Sequence, residues 1–277
     1  MNRLSIRPLT CAALILFSIV SLPHAQTQSI HVSPAAGQKI LIDASKDGGV
    51  WWSPQGGGHQ GTALADYIRG LGFQVDELGQ GMTITDSMLS QYDNVITVAS
   101  AFPYDSNELL AYDHFLGRST HLFLLLEYMW PGQKDQLADR LGIPLVGIAY
   151  GQISKFATSP ITQGALPLYY MAGSAIVDTL ANPAIQYLAW LSEDDYVDVN
   201  LNNLWDQGEP FGAPVMGILN YQQAKVFFIG DENCMESVPQ GLIDNLMRWS
   251  HCEGLTGNVD CSSDGQSDIS DLTALID

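Results

Sequence analysis

The chain runs to 277 residues, 46% of them hydrophobic and 15% charged, and its 30 acidic side chains outnumber the 11 basic ones to leave a formal charge of -19. Such a balance repels nucleic-acid phosphates and anionic lipid and attracts divalent cations, so it argues against a nucleic-acid or membrane-surface role. The length suits one large domain followed by a small module.

Residues 1–25 have the pattern of an export signal, with Arg3 and Arg7 at a basic start, an apolar run over 9–22, and Pro23, His24 and Ala25 as the cleavage region. The run is short for a membrane span, which takes about 20 apolar residues. No later stretch is long and apolar enough to hold the chain in a membrane. The expectation is a secreted or periplasmic protein, whose charge moves to about -21 once the two leader arginines are gone. Three cysteines then remain, Cys234, Cys252 and Cys261, and in an oxidising compartment an odd count leaves one thiol over. Cys252 with Cys261 is the preferred pairing and Cys234 with Cys252 the alternative. Their spacing matches no zinc site.

Residues 37–251 read as alternating strand and helix. The strand from Lys39 to Asp43 ends in a loop rich in glycine, and Leu64, Ala65, Ile68 and Leu71 then recur at a helical period. Residues 73–78 alternate like a strand. A short helix over 86–91, a strand over 94–99, a helix over 106–116 and a fully apolar strand over 121–126 follow. Central strands apolar on both sides indicate a parallel sheet covered on both faces. Residues 143–182 are rich in Gly, Pro, Ser and Thr and predict a lobe of short strands and loops, with a strand over 183–190. Strands over 214–220 and 225–230 form a hairpin that adds antiparallel strands to one side. Leu242, Ile243, Leu246 and Trp249 mark a closing amphipathic helix over 239–249.

This order, with the Lys39 to Asp43 strand, the glycine loop into a helix, the run from His121 to Glu127 and the late strand from Val226 to Asp231, resembles the class I glutamine-amidotransferase-like fold. The likeness is to its non-catalytic relatives, such as the domain of intraflagellar-transport proteins and of trehalose-utilisation-like proteins. It implies a Rossmann-like, flavodoxin-like three-layer α/β sandwich with a mainly parallel sheet. Catalytic members place a nucleophilic cysteine in a Gly-x-Cys-x-Gly turn. Here the strand ends read Ala99, Ser100, Ala101 and Leu126, Glu127, Tyr128, without cysteine, so amidase chemistry is not expected.

Ligands of open α/β sheets collect beyond the carboxyl ends of the strands. Those ends present Asp43, Ser100, Glu127 and Asp231 with Glu232, and His59 stands beside Gly56, Gly57 and Gly58 at a helix start. Asp43, His59, Glu127 and Asp231 are the candidate ligand-binding residues, with Trp51, Trp52 and Trp130 as walls for a sugar face. The competing expectation is that each acid caps a helix or pairs with Lys46 or Arg69, and that the tryptophans pack. The glycine run lacks the Lys-Ser/Thr pair of a P-loop and reads as a lip over the strand ends. Ser100 with His114 or His121 and Asp105 would compose a hydrolase triad, but the Gly-x-Ser-x-Gly elbow is missing. Glu127 with Asp231 suits glycoside cleavage only if folding brings them within about 5 to 10 Å.

The tail, residues 256–277, carries oxygen-bearing side chains at positions 1, 3, 5, 9 and 12 of a loop, namely Asp260, Ser262, Asp264, Asp268 and Asp271, with Gly265 at position 6 and the carbonyl of Gln266 at position 7. That is the spacing of an EF-hand-type Ca2+ loop. Together with Gly257, Asn258 and the helix start at Leu272, it resembles the first half of a type I dockerin. The resemblance implies Ca2+ as cofactor, those six residues as ligands and a cohesin-like protein as partner. A dockerin duplicates this unit, and only the first unit is present here.

Two functions emerge: a non-catalytic ligand-binding or assembly protein, carbohydrate-related, with a calcium-binding tail; or a divergent extracellular hydrolase acting on a glycan through strand-end carboxylates. The hydrolase requires two or more of Asp43, His59, Glu127 and Asp231 in one cleft with a perturbed pKa. The binding protein requires only an open surface lined by aromatic side chains.

Overall fold

The computed structural model describes residues 38–47, 61–128 and 134–251. Outside them lie the leader, the glycine loop with Trp51, Trp52 and His59, Trp130, Cys252, Cys261, and the tail ligands Asp260, Ser262, Asp264, Gln266, Asp268 and Asp271.

The first half alternates as its periodicity demands: β1 (Lys39–Asp43), α1 (Gly61–Gly70), β2 (Gln74–Leu78), α2 (Asp86–Leu89), β3 (Asn94–Thr97), α3 (Ser106–Leu116), β4 (His121–Leu125) and α4 (Gln136–Arg140). Every residue of β3 and β4 is buried, which is why these strands read as unbroken rather than alternating patterns. α3 starts on a reciprocal capping box, in which the Asp105 carboxylate accepts from Asn107 and Glu108 N–H while Glu108 reaches back to Asp105 N–H. The second half is β5 (Leu145–Phe156), β6 (Leu168–Ile176), β7 (Gln186–Leu191), β8 (Val197–Asp198), β9 (Pro214–Tyr221), β10 (Ala224–Ile229), a 3-10 turn (Glu232–Met235) and α5 (Gln240–His251).

All ten strands form one sheet of order β2-β1-β3-β4-β10-β9-β7-β5-β6, with β8 paired to β5. β2, β1, β3, β4 and β10 run parallel, and every pairing beyond β10 is antiparallel. The parallel part has the expected three layers. Leu64, Ala65 and Ile68 of α1 and Leu242, Ile243 and Leu246 of α5 pack with Ile40, Ile42, Phe123 and Phe227 on one face. Ala111, Tyr112 and Phe115 of α3 and Leu137 of α4 pack with Leu41, Val95, Leu122 and Phe228 on the other. The sheet is therefore a mixed one, and its antiparallel half is larger than a single added hairpin.

The region expected to hold short strands and loops contains instead the long pair β5 and β6. Its register shifts between Val146 and Tyr150, and Gly147, Gly151 and Ala172 adopt positive φ. These bulges let long strands bend sharply, so glycine here marks curvature and not a loop. The bend carries β6, last in the sheet, back to the segment after β10. Ser174 N–H donates to Gly230 O (2.8 Å), Met171 N–H to the Asp231 carboxylate, the Asn233 amide to Met171 O (3.3 Å) and the Cys234 thiol to Tyr169 O (3.1 Å). The antiparallel half thus closes on itself and its last edge is covered.

Closure demands two glycines. A Cβ on Gly230 would collide with the Ser174 carbonyl and the Tyr170 hydroxyl, and one on Gly173 with Asp231 and Gly230 O. Gly230→Ala is expected to lose about 1–3 kcal/mol or more in urea unfolding, from overpacking against backbone. Gly241→Ala in α5, where a Cβ meets nothing nearer than 3.8 Å, is expected to be neutral or stabilising by up to about 1 kcal/mol.

Candidate functional site

β1 is followed by β2 on one side and β3 lies on its other side, so the crevice at the carboxyl ends of β1 and β3 is a topological switch point. Asp43 sits there, 1% exposed. One of its oxygens accepts from the hydroxyls of Tyr104 (3.0 Å) and Tyr112 (2.5 Å), the other from Ser45 N–H (2.9 Å). Burial first, and the Asp43 charge second, push both phenols well above their ordinary pKa, so they remain donors. Lys46 pairs with buried Glu108 (2.7 Å) rather than with Asp43. Asp43 is an internal anchor tying the β1 end to Tyr104 and to Tyr112 of α3.

A second acidic group lies at the ends of β4 and β10. Asn233 joins its two sides: its side-chain N–H donates to Glu127 (3.0 Å) and its backbone N–H to Asp231 (2.9 Å). Asp231 thereby caps the 3-10 turn, in line with the capping expectation. Glu232, wholly buried, accepts from Ala99 N–H (3.0 Å) through one oxygen, while the other has no partner. Asn233 Oδ1 and a Glu236 carboxylate oxygen are buried without partners as well. No described lysine or arginine forms a salt bridge with Glu127, Asp231 or Glu232. Burial accordingly raises Glu127 to about 8, helped by Asp231 and Glu236 and opposed by Tyr128 N–H and Asn233. It raises Asp231 to about 6 against the N–H of Met171 and the bonds from Asn233 and Cys234. Glu232 is pushed well above the carboxylate range by burial, and further by Glu127, Asp47 and Asp231. Around neutral pH Glu127 and Glu232 thus hold protons while Asp231 is left as an acceptor.

An aromatic face adjoins it. On β5 and β6 Tyr150 stands opposite Met171, and Tyr169 opposite Gln152, so Tyr169 and Met171, two residues apart, project to one side with Tyr150. Tyr169 is 68% exposed, Tyr150 52% and Met171 36%. Burial first, then Tyr128 and Glu127, raise the Tyr150 phenol; the face joins the carboxyl group through Met171, whose N–H donates to Asp231 and whose carbonyl accepts from Asn233, the partner of Glu127. Sequence reasoning does not single out these three residues, because the Gly, Pro, Ser and Thr of 143–182 predict short strands and loops, although exposed Tyr169, buried Tyr170 and exposed Met171 alternate as a strand should.

The triad does not assemble. Asp105 caps α3, Ser100 bonds the buried Asp135, His114 faces Asp86 at 3.2 Å on the exposed side of α3, and His121 packs edge-on to Trp249 at the start of β4, its pKa lowered to about 4 by burial and Lys225. Arg69 pairs with Asp66 and Glu77, away from the candidate acids. Cys234 is a buried free thiol. Among the described residues no group of three or more His, Cys, Asp or Glu is arranged to hold a metal ion, and no helix is long and apolar enough to cross a membrane.

No family model and no curated protein matches this chain. Solved structures do. The N-terminal domain of mmIFT52 has a TM-score of 0.57 at 13% identity, over 76% of this chain and 96% of that one. A ThuA-like protein from Bacteroides uniformis has 0.49 at 15% identity over 79% and 94%, and a cytoplasmic protein from Salmonella typhimurium 0.46 at 12% over 77% and 98%. At such identities the likeness to the mmIFT52 domain is one of fold alone, an α/β architecture.

Burial of these carboxyls fixes a sign for stability against pH. Folded Glu127 keeps a proton that the unfolded chain, at its ordinary 4.5, releases, so stability present below pH 4.5 is lost as pH rises toward 8, and Asp231 adds to the loss between its ordinary 3.8 and about 6. Glu127→Gln should remove on the order of 2 kcal/mol of the decline between pH 5 and 8 in urea unfolding. An unchanged slope would contradict the burial of Glu127.

Proposed function

We propose that this is a secreted, non-catalytic ligand-binding or assembly protein, whose large domain takes a neutral carbohydrate on the Tyr150, Tyr169 and Met171 face and whose dockerin-like tail binds Ca2+ and engages a cohesin-like partner. The observation that carries the proposal is the exposed face itself, with the protonatable Glu127 at its border. Sugar rings lay their C–H faces on aromatic side chains and offer hydroxyls at the edge. Glu127 meets such hydroxyls as donor or acceptor. The unpaired acids around it and the charge of -19 disfavour an anionic ligand.

One observation favours the hydrolase reading: Glu127 and Asp231 share Asn233 and both are raised toward neutrality, as a general acid must be. Calorimetry with a panel of neutral soluble polysaccharides, paired with reducing-end release, separates the two. Binding is expected, about tenfold weaker in Tyr150→Ala and in Tyr169→Ala, with no release of reducing ends. Release by the unaltered protein that Glu127→Gln abolishes would establish the hydrolase. Binding indifferent to both tyrosines would remove the face from the account.

A further inference from the structure

The oxygen spacing that marks the tail occurs a second time, inside the large domain. Counted from Asp198, positions 1, 3, 5, 9 and 12 are Asp198, Asn200, Asn202, Asp206 and Glu209, and position 7 is Leu204, which would contribute its carbonyl. The last is the glutamate that binds Ca2+ through both oxygens in EF-hand loops. Position 6, where those loops need glycine for a sharp turn, is Asn203. Its φ of 61° supplies the left-handed conformation, which asparagine tolerates better than most residues.

The folded loop brings these positions together. It leaves β8 at Asp198 and returns to Phe211, which bridges to Tyr196. The amides of Asn200 and Asn202 both reach the same Asp206 oxygen, each at 2.7 Å, so positions 3, 5 and 9 converge. Asp198 accepts from the N–H of Asn202 (3.1 Å) and Asn203 (2.6 Å). Glu209 accepts from Val199 (2.8 Å) and Asp206 (2.9 Å), holding the ends of the loop together.

Charge is the independent argument. Asp198 is 4% exposed and Glu209 9%, and neither forms a salt bridge with a described lysine or arginine. Buried carboxylates are paired with a counter-charge or coordinate a metal. Here Glu193, Asp194 and Asp195 precede the loop and deepen the deficit. The carboxylates do not by themselves form a metal cage. The amide oxygens of Asn200 and Asn202 each accept one backbone N–H, from Asn202 (3.1 Å) and Leu204 (2.7 Å), and keep a second lone pair; with these, the Leu204 carbonyl and the carboxylates of Asp198, Asp206 and Glu209, the donors come to about the six to eight oxygens that Ca2+ takes.

We infer that residues 198–209 form a Ca2+ site of EF-hand spacing within the antiparallel half, independent of the tail. Asp198 pairs with Ile148, two residues from Tyr150, and the loop carries the exposed Leu204 and Trp205, with Trp205 packed near Phe211 at 5.8 Å between ring centroids. Ca2+ would thereby fix a flank of the Tyr150 face.

The test uses the full chain with Asp260→Ala and Asp264→Ala, which silences the tail loop. Trp205, at position 8, serves as antenna for Tb3+. Saturable Tb3+ emission on tryptophan excitation, displaced by Ca2+, is expected, with one Ca2+ bound per chain in calorimetry. Asp206→Ala, at an exposed position that does not threaten folding, and Glu209→Gln should each weaken Ca2+ by about tenfold or more. Trp205→Phe should abolish the emission and leave the calorimetric binding. Absence of Ca2+ binding in the tail-silenced chain, or binding unchanged by both Asp206→Ala and Glu209→Gln, would overturn the inference, and neither outcome bears on the tail.

Discussion

The carboxylate of Asp231 accepting the N–H of Met171, with Ser174 bonded to the carbonyl of the preceding Gly230, holds the end of the sheet to its middle. Without these bonds β6 would be an open edge with unmet donors, and the five antiparallel strands would have no fixed curvature. The requirement reaches back into sequence as Gly173 and Gly230, where a side chain would occupy the space that backbone now fills. It also explains the irregular register of β5, whose bulges supply the bend that closure needs.

The same closure produces the electrostatics of the strand ends. Folding β6 over the segment after β10 buries Asp231, Glu232 and Cys234 and partly shields Glu127, while no described cation comes with them. Burial in low dielectric disfavours ionisation, so the carboxyls hold protons at a pH where free ones would not. On its outer side the hairpin leaves Tyr150, Tyr169 and Met171 in solvent next to these groups. An apolar face bordered by carboxyls that donate as well as accept suits a polyhydroxy ligand better than an anion.

Much of the parallel half was legible in sequence, because there period and burial agree. The unbroken apolar run of β4 and the spaced Leu64, Ala65 and Ile68 of α1 have one physical reading each. The antiparallel half was not, since its glycines at positive φ bend long strands and look like loop residues. Of the candidate acids, Glu127 and Asp231 are brought together through Asn233, while Asp43 is absorbed by Tyr104 and Tyr112, partners more than sixty residues away that no local pattern shows. The loop from Asp198 to Glu209 was readable from its spacing alone, but its asparagines and the missing glycine made it less conspicuous than the aspartate-rich tail.

The most direct test of closure is amide hydrogen exchange of the unaltered chain beside Asp231→Ala. The account predicts that the Met171 amide is protected in the first and exchanges at least about tenfold faster in the second, together with its neighbours in β6, while β1, β3 and β4 keep their protection. A Met171 amide that exchanges equally slowly in both would show that the Asp231 carboxylate does not hold β6, and the strand-end face would then need another origin.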